Sequence, residues 1–199
     1  MTRSLKIAVA DDELDMRDYL QQILPLLGHQ VVGVAQTGRE LVELCATTRP
    51  DLVITDIKMP DMDGIDAATQ IYRKAAIPVI LVSAYHDPEF LRRAEADHIM
   101  AYLVKPIKQA DLEPAIGIAT HRFDQFQALR KEAADLKQAL EDRKVIEKAK
   151  GILMKKAGLD EHDAFRRLQR LASNKNRKLI DIAQTILTAE EALEPPGRA

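Results

Sequence analysis

Leu52-Val53-Ile54-Thr55-Asp56-Ile57-Lys58-Met59-Pro60-Asp61-Met62-Asp63-Gly64 begins as a short run of apolar and β-branched residues. It meets an aspartate and passes into a stretch of proline, aspartates and glycine. An apolar run this short, closed by turn formers, reads as a strand buried on both faces. Four more such runs lie at 5–10, 30–35, 79–83 and 101–104, and amphipathic segments of helical length, such as 16–27 and 38–48, stand between them. Strand and helix in alternation predict a doubly wound α/β fold, a five-stranded parallel sheet covered on both faces. In such sheets ligands bind beyond the carboxyl ends of the strands, so the residues just after each run are where chemistry belongs.

Those positions hold a coherent set. Asp11 and Asp12 follow the first run, Asp56 closes the third, Ser83 closes the fourth, and Lys105 with Pro106 closes the fifth. Clustered carboxylates make a hard-oxygen site suited to Mg2+, and a lysine and a hydroxyl beside them suit phosphoryl oxygens. A carboxylate can also serve as the nucleophile that accepts the phosphoryl group.

The acidic pair, the Asp56–Gly64 turn, the hydroxyl and the Lys-Pro pair, in this order, resemble the receiver domain of response regulators over residues 5–120. The resemblance implies the flavodoxin-like strand order and a sensor histidine kinase as phosphoryl donor. It makes Asp56 the acceptor, with Ser83 and Lys105 binding the phosphoryl group. Asp12, Asp56 and the backbone carbonyl of Lys58 would hold Mg2+, Asp11 would support its waters, and Tyr102 would be the aromatic that moves on activation. One departure is His98, which stands where receivers usually place a glycine before Ala101 and Tyr102. An aspartyl-phosphate phosphatase on a related sheet is the enzymatic alternative, but it needs a carboxylate two residues beyond the nucleophile, where this chain has Lys58. The chain is therefore not expected to be an enzyme.

From Asp111 the strand signals stop and helical patterns run to about Leu193. Phe126, Ala133 and Leu140 recur every seven residues and Leu129 and Leu136 fall three places after the first two, a short a/d seam that predicts a coiled coil and a homodimer through it. Its next d position is Arg143. Beyond it three helices are expected at 141–157, 161–173 and 179–193, punctuated by Gly158, by Asp160 with Asp163, and by the polar turn 173–176. The expected organisation is 1–120, a linking helix at 121–140, a three-helix domain at 141–193 and a disordered tail at 194–199.

The formal charge of −2 conceals an asymmetry: residues 1–120 carry 12 Lys and Arg against 18 Asp and Glu, whereas residues 141–179 carry 12 against 6. A basic block is the usual footprint of nucleic-acid binding. The stretch Leu140 to Met154, with its run Ala149-Lys150-Gly151-Ile152-Leu153-Met154, resembles the ANTAR domain, the RNA-binding antitermination module. The likeness continues through Asp163-Ala164-Phe165, Leu168, Ala172 and Leu179-Ile180-Asp181-Ile182-Ala183. The whole arrangement is similar to receiver-first antitermination regulators of mycobacteria and related bacteria, and implies an RNA hairpin overlapping a terminator as the target.

Val145, Ile146, Ala149, Ile152 and Leu153 form one apolar stripe expected to pack on Phe165, Leu168, Leu171, Ile182 and Ile186. That leaves Lys148, Lys150, Lys155, Lys156, Arg166, Arg167, Lys175, Asn176, Arg177 and Lys178 facing outward as RNA-binding residues. Phe165 is the one aromatic after Leu140 and is assigned to the core, so recognition would rest on phosphates and polar groups rather than base stacking. The residues by themselves do not separate RNA from duplex DNA, and a DNA-binding transcription factor built on three basic helices stays open.

Apolar residues are 46% and charged ones 30% of the chain, an ordinary globular composition with no run of membrane-spanning length. The first residues lack the pattern of a signal peptide, so a cytoplasmic protein is expected. Cys45 is the single cysteine, which excludes an internal disulfide and a cysteine-rich zinc site and reads as a buried thiol.

Overall fold

The computed structural model describes residues 3–84 and 99–193. His98 and the tail 194–199 lie outside the described residues. Five strands, β1 (Lys6–Ala10), β2 (Gln30–Ala35), β3 (Leu52–Asp56), β4 (Val79–Ser83) and β5 (Ile99–Val104), form one sheet in the order β2-β1-β3-β4-β5 with every pair parallel. Helices α1 (Leu14–Leu26), α2 (Gly38–Thr48) and α3 (Gly64–Lys74) lie between strands, and α4 (Gln109–Ala157), α5 (Glu161–Lys175) and α6 (Leu179–Leu193) follow β5. This is the flavodoxin-like arrangement, with β3 central between β1 and β4.

Side chains alternate across a strand, so each strand serves two cores. Ile7, Val9, Leu52, Ile54, Ile80 and Val82 face one side, where Leu20 and Leu24 of α1 and Leu112, Ile116 and Ala119 of α4 cover them. Ala8, Ala10, Val53, Val79 and Leu81 face the other side, against Leu41 and Val42 of α2 and Ile65, Ala68 and Ile71 of α3. Each fully buried leucine or isoleucine contributes about 1.5–3 kcal/mol relative to an exposed one. Cys45 belongs to the second core, and burial pushes its thiol up to about 12.

Two glycines tighten the turn after β3. A side chain at Gly64 would put its Cβ 2.0 Å from the Asp56 carbonyl oxygen, and one at Gly38 would come 2.4 Å from that of Met62. Both glycines use this closeness: Gly64 N–H donates to Ile57 O at 2.9 Å and Gly38 N–H to Met62 O at 3.2 Å. The turn is thereby held between β3 and the start of α2.

The chain divides into two compact units, Met1–Gln127 and Ala128–Ala199. The expected linking helix at 121–140 and the expected helix at 141–157 are one element, because α4 runs without interruption from Gln109 to Ala157. A local pair bridges the predicted junction, Gln138 Nε2 donating to Asp142 Oδ1 at 2.7 Å, and just beyond it Lys144 Nζ lies 2.8 Å from Glu141 Oε1. No glycine or proline stands there to break the helix. Gly158, at φ 63°, follows the end of α4, and the Asp160 side chain caps α5 by accepting from Asp163 N–H at 2.7 Å. The expected turn at 173–176 begins later, since Ser173, Asn174 and Lys175 stay helical and Asn176 alone takes the left-handed conformation at φ 49°.

Ala149, Leu168, Ile182 and Ala183 form the buried centre of the second unit, flanked by Val145, Ile146, Leu153, Leu171, Ala172, Leu179 and Ile186. Two expected members, Ile152 and Phe165, are half-buried and stand outside this cluster. Phe165 has Lys150 Nζ 5.9 Å from its ring centroid, so its face meets a cation rather than the apolar stripe.

Candidate functional site

At the carboxyl ends of β1, β3 and β5 the sheet brings Asp11, Asp56 and Lys105 together. Lys105 Nζ lies 2.9 Å from Asp11 Oδ2, 3.2 Å from Glu13 Oε1 and 3.5 Å from Asp56 Oδ1. Asp56 Oδ2 accepts from Lys58 N–H at 3.1 Å. Ser83 is buried at the end of β4, and its carbonyl accepts from Lys105 N–H at 2.8 Å, which ties the β5 end to the neighbouring strand. The Lys105–Pro106 peptide is cis. Tyr102 is half-buried against the core that α2 and α3 cover. Of the expected set, Asp11, Asp12, Asp56 and Lys105 converge directly.

The loop that carries Asp11 and Asp12 is fixed by a residue that sequence reasoning missed. Arg17 is buried in α1, and its Nη1 donates to Asp11 O at 2.7 Å and to Asp12 O at 3.0 Å. Glu13 N–H adds a bond to Asp11 Oδ1 at 2.9 Å. Nothing in the charge pattern around Arg17 separates it from a solvated helix residue. Its role appears only when α1 folds back on the loop.

The site holds more acid than base. Asp11, Glu13 and Asp56 lie within 3.5 Å of the Lys105 ammonium, with Asp12 beside them, and burial pushes Asp56 up to about 6 despite that ammonium. Asp11 is likewise raised, chiefly by burial, with the Lys105 contact opposing. Burial also works against the Lys105 charge, but the Asp11, Asp56 and Glu13 carboxylates outweigh it and hold the amine above its ordinary value. Excess buried negative charge of this kind invites a cation.

Oxygens of Asp11, Asp12 and Asp56 all lie within 4.8 Å of one another, and the buried Asp11 Oδ2 has the Lys105 ammonium 2.9 Å away. An all-oxygen set of this size, exposed on its Asp12 side, fits Mg2+.

In the second unit Lys148, Lys155, Lys156, Arg166, Arg167, Lys175, Asn176, Arg177 and Lys178 are exposed, as expected. Lys156 is paired with Glu190 at 3.1 Å and Arg177 with Asp181 at 3.9 Å. Lys150 departs from the expectation. It is not outward: it is 7% exposed, and its Nζ is 2.8 Å from both Glu147 Oε2 and Glu161 Oε1. The two carboxylates raise its pKa, Glu147 first. Its cover is its own ion partners and the Phe165 ring rather than a deep interior, so a position one step off the apolar stripe still closes over.

Fold and site together are those of an aspartate-based receiver. Residues 7–117 match the response regulator receiver domain and residues 134–187 match the ANTAR domain. The chain belongs to the response regulators, in the group that joins a receiver to an ANTAR domain. It is 42% identical over 182 residues to the transcriptional regulatory protein PdtaR of Mycobacterium tuberculosis, covering 92% of this chain and 89% of that protein. It is 35% identical over 114 residues to the transcriptional regulatory protein HptR of Staphylococcus aureus, covering 56% of this chain and 45% of that protein. Among solved structures, the signal receiver domain of a modulated diguanylate cyclase from Desulfovibrio desulfuricans G20 superposes with a TM-score of 0.58 at 27% identity, over 62% of this chain and 98% of that one. No helix among the described residues is long and apolar enough to cross a membrane.

Proposed function

We propose that Asp56 accepts a phosphoryl group from a sensor histidine kinase, and that the phosphorylated protein binds an RNA hairpin through its basic C-terminal unit and prevents transcription termination. The observation that carries the first half is the Lys105 ammonium shared between Asp11 and Asp56 at the strand ends. In this reading Asp12, Asp56 and the Lys58 carbonyl hold Mg2+, with Asp11 supporting it. The bound ion screens the repulsion between the carboxylate and an incoming phosphoryl group.

An Asp56 carboxylate oxygen attacks phosphorus while the bond to the donor imidazole nitrogen breaks. Lys105 and the Ser83 hydroxyl then take the phosphoryl oxygens. Tyr102 responds as the switch. Lys58 stands where a phosphatase would need its second carboxylate, so the protein signals rather than turns over substrate. It works in the cytoplasm, pairing as a homodimer through the seam on α4.

The ANTAR match and the exposed cations of α4, α5 and the α5–α6 turn support the second half. Acetyl phosphate with Mg2+ should label Asp56, and mass spectrometry should find no label on Asp56→Asn. Parallel titration with terminator hairpins and duplex DNA at matched salt tests the output. Tighter binding to duplex DNA than to any structured RNA would overturn the antitermination reading and leave a DNA-binding regulator.

A further inference from the structure

A cavity of about 390 Å3 opens at the opposite end of the sheet from Asp56, where the strands begin. Leu5, His29, Asp51 and Pro78 reach it from just before β1, β2, β3 and β4. Its other wall is one face of α4, from Glu113 through Gly117 and Thr120 to Phe123 and Asp124. All of these residues lie in the first unit. The volume falls in the range of small-molecule sites.

Gly117 argues that the space is kept open. A glycine inside a helix costs roughly 0.5–1 kcal/mol relative to alanine, and it usually stands where a neighbour comes too close for a side chain. Here a Cβ would meet nothing within 4 Å. Packing gives no reason for the glycine, and the residue borders the cavity.

The lining has a definite chemistry. Asp51, Glu113 and Asp124 bring three carboxylates against one cation, Arg3, which is itself 3.6 Å from Asp51. His29 is more than nine-tenths buried, and its Nδ1 accepts from Leu5 N–H at 3.3 Å. An imidazole that accepts at Nδ1 carries its proton on Nε2, and no acceptor is paired with that N–H among the described residues. Burial keeps the ring below its ordinary pKa, with the Glu113 carboxylate opposing, so it adds no competing positive charge at neutral pH. Phe123 lines the cavity next to Asp124, and cations bind aromatic faces. The apolar lining of Leu5, Leu27 and Ile116 suits an organic body and not a hydrated metal ion.

We infer that this cavity binds a small organic cation, an ammonium or amidinium on an apolar or aromatic body. The cation would sit toward Asp124 beside Phe123, with its body along the α4 face toward Ile116, while Glu113, eleven residues and roughly 16 Å earlier on the helix, adds only its longer-range field. The site is separate from Asp56 and does not rest on the phosphoacceptor reading.

Benzamidine is a suitable probe, titrated into the full-length 15N-labelled protein, with benzoate as the anion of matched shape and benzyl alcohol as the neutral one. Benzamidine should bind with a dissociation constant of about millimolar, as expected for so few atoms, and should shift the Gly117, Thr120 and Phe123 amides. Gly117→Leu fills the space and should abolish those shifts. Glu113→Gln with Asp124→Asn alters only exposed side chains and should weaken binding at least about tenfold. That pair decides the matter if Gly117→Leu fails to fold. The inference is overturned by benzoate or benzyl alcohol binding as well as benzamidine, by the shifts surviving either change, or by no shift at these amides.

Discussion

Asp56 is a carboxylate kept where a carboxylate is costly. Burial raises its pKa from 3.8 to about 6, so between those values the folded state holds a proton that the unfolded chain releases. The charged form therefore subtracts from stability above pH 6, and the penalty fades as pH falls toward 4. Asp56→Asn should stabilise the Mg2+-free protein at pH 7.5 by up to about 3 kcal/mol, with the gain vanishing near pH 4. Urea unfolding at the two pH values checks this, and a gain that grows on acidification would show that burial is not the dominant influence. Lys150 makes a contrasting case. As an anchor between Glu147 and Glu161, its replacement in Lys150→Met should lower the thermal midpoint but leave the salt dependence of RNA binding unchanged. Lys175→Gln, if that exposed lysine meets a phosphate, should do the reverse and reduce the slope by about one contact. The residues of the acidic site were legible because a parallel sheet converts position after a strand into position in space. Lys150 and Arg17 were not. Glu161 reaches Lys150 across the Gly158 turn, and Arg17 reaches two backbone carbonyls, and neither contact leaves a mark in local spacing.

The inner strands β1, β3 and β4 were readable in outline because both of their faces are buried, which leaves unbroken apolar runs between turn formers, and the part-exposed edge strands β2 and β5 keep enough of that pattern to follow. Their edges moved by a residue or two, as at β3, which takes in Asp56, and β5, which begins at Ile99. The junction expected near residue 140 was the larger miss. A change of resemblance from linker to basic domain marked a boundary of sequence type, whereas a helix ends only where capping, glycine or proline ends it. The continuous α4 leaves the seam conspicuous: Leu129, Leu136 and Leu140 are 63%, 60% and 59% exposed. Apolar residues in heptad register and in water favour a second helix. Beryllofluoride should raise the solution mass to that of a dimer, and Leu129→Lys with Leu136→Lys should keep it at the monomer while Asp56 still labels. A wild-type protein that stays monomeric at concentrations where it binds RNA would refute pairing through this seam.

Across the whole molecule, the acid-rich first part and the basic later part were visible in the counts of charged residues, and each sign lies with its own candidate site. RNA affinity should accordingly fall steeply with added salt, while phosphorylation of the buried Asp56 should respond far less, because screening acts mainly on exposed charge. Comparing the two salt titrations on one preparation checks this, and equal sensitivity would argue against it. Cys45 bears on how such experiments can be read. It is the only thiol in the chain, buried in α2 and held protonated far above neutral pH. A disulfide reagent needs an accessible thiolate, so in native buffer it can reach this chain only while the first unit is open. With reagent scarce enough that closing outruns reaction, the rate of colour development measures the open fraction. The protein thus carries its own clock, able to report without denaturant whether Asp56→Asn, a bound cation or a phosphoryl group tightens the fold.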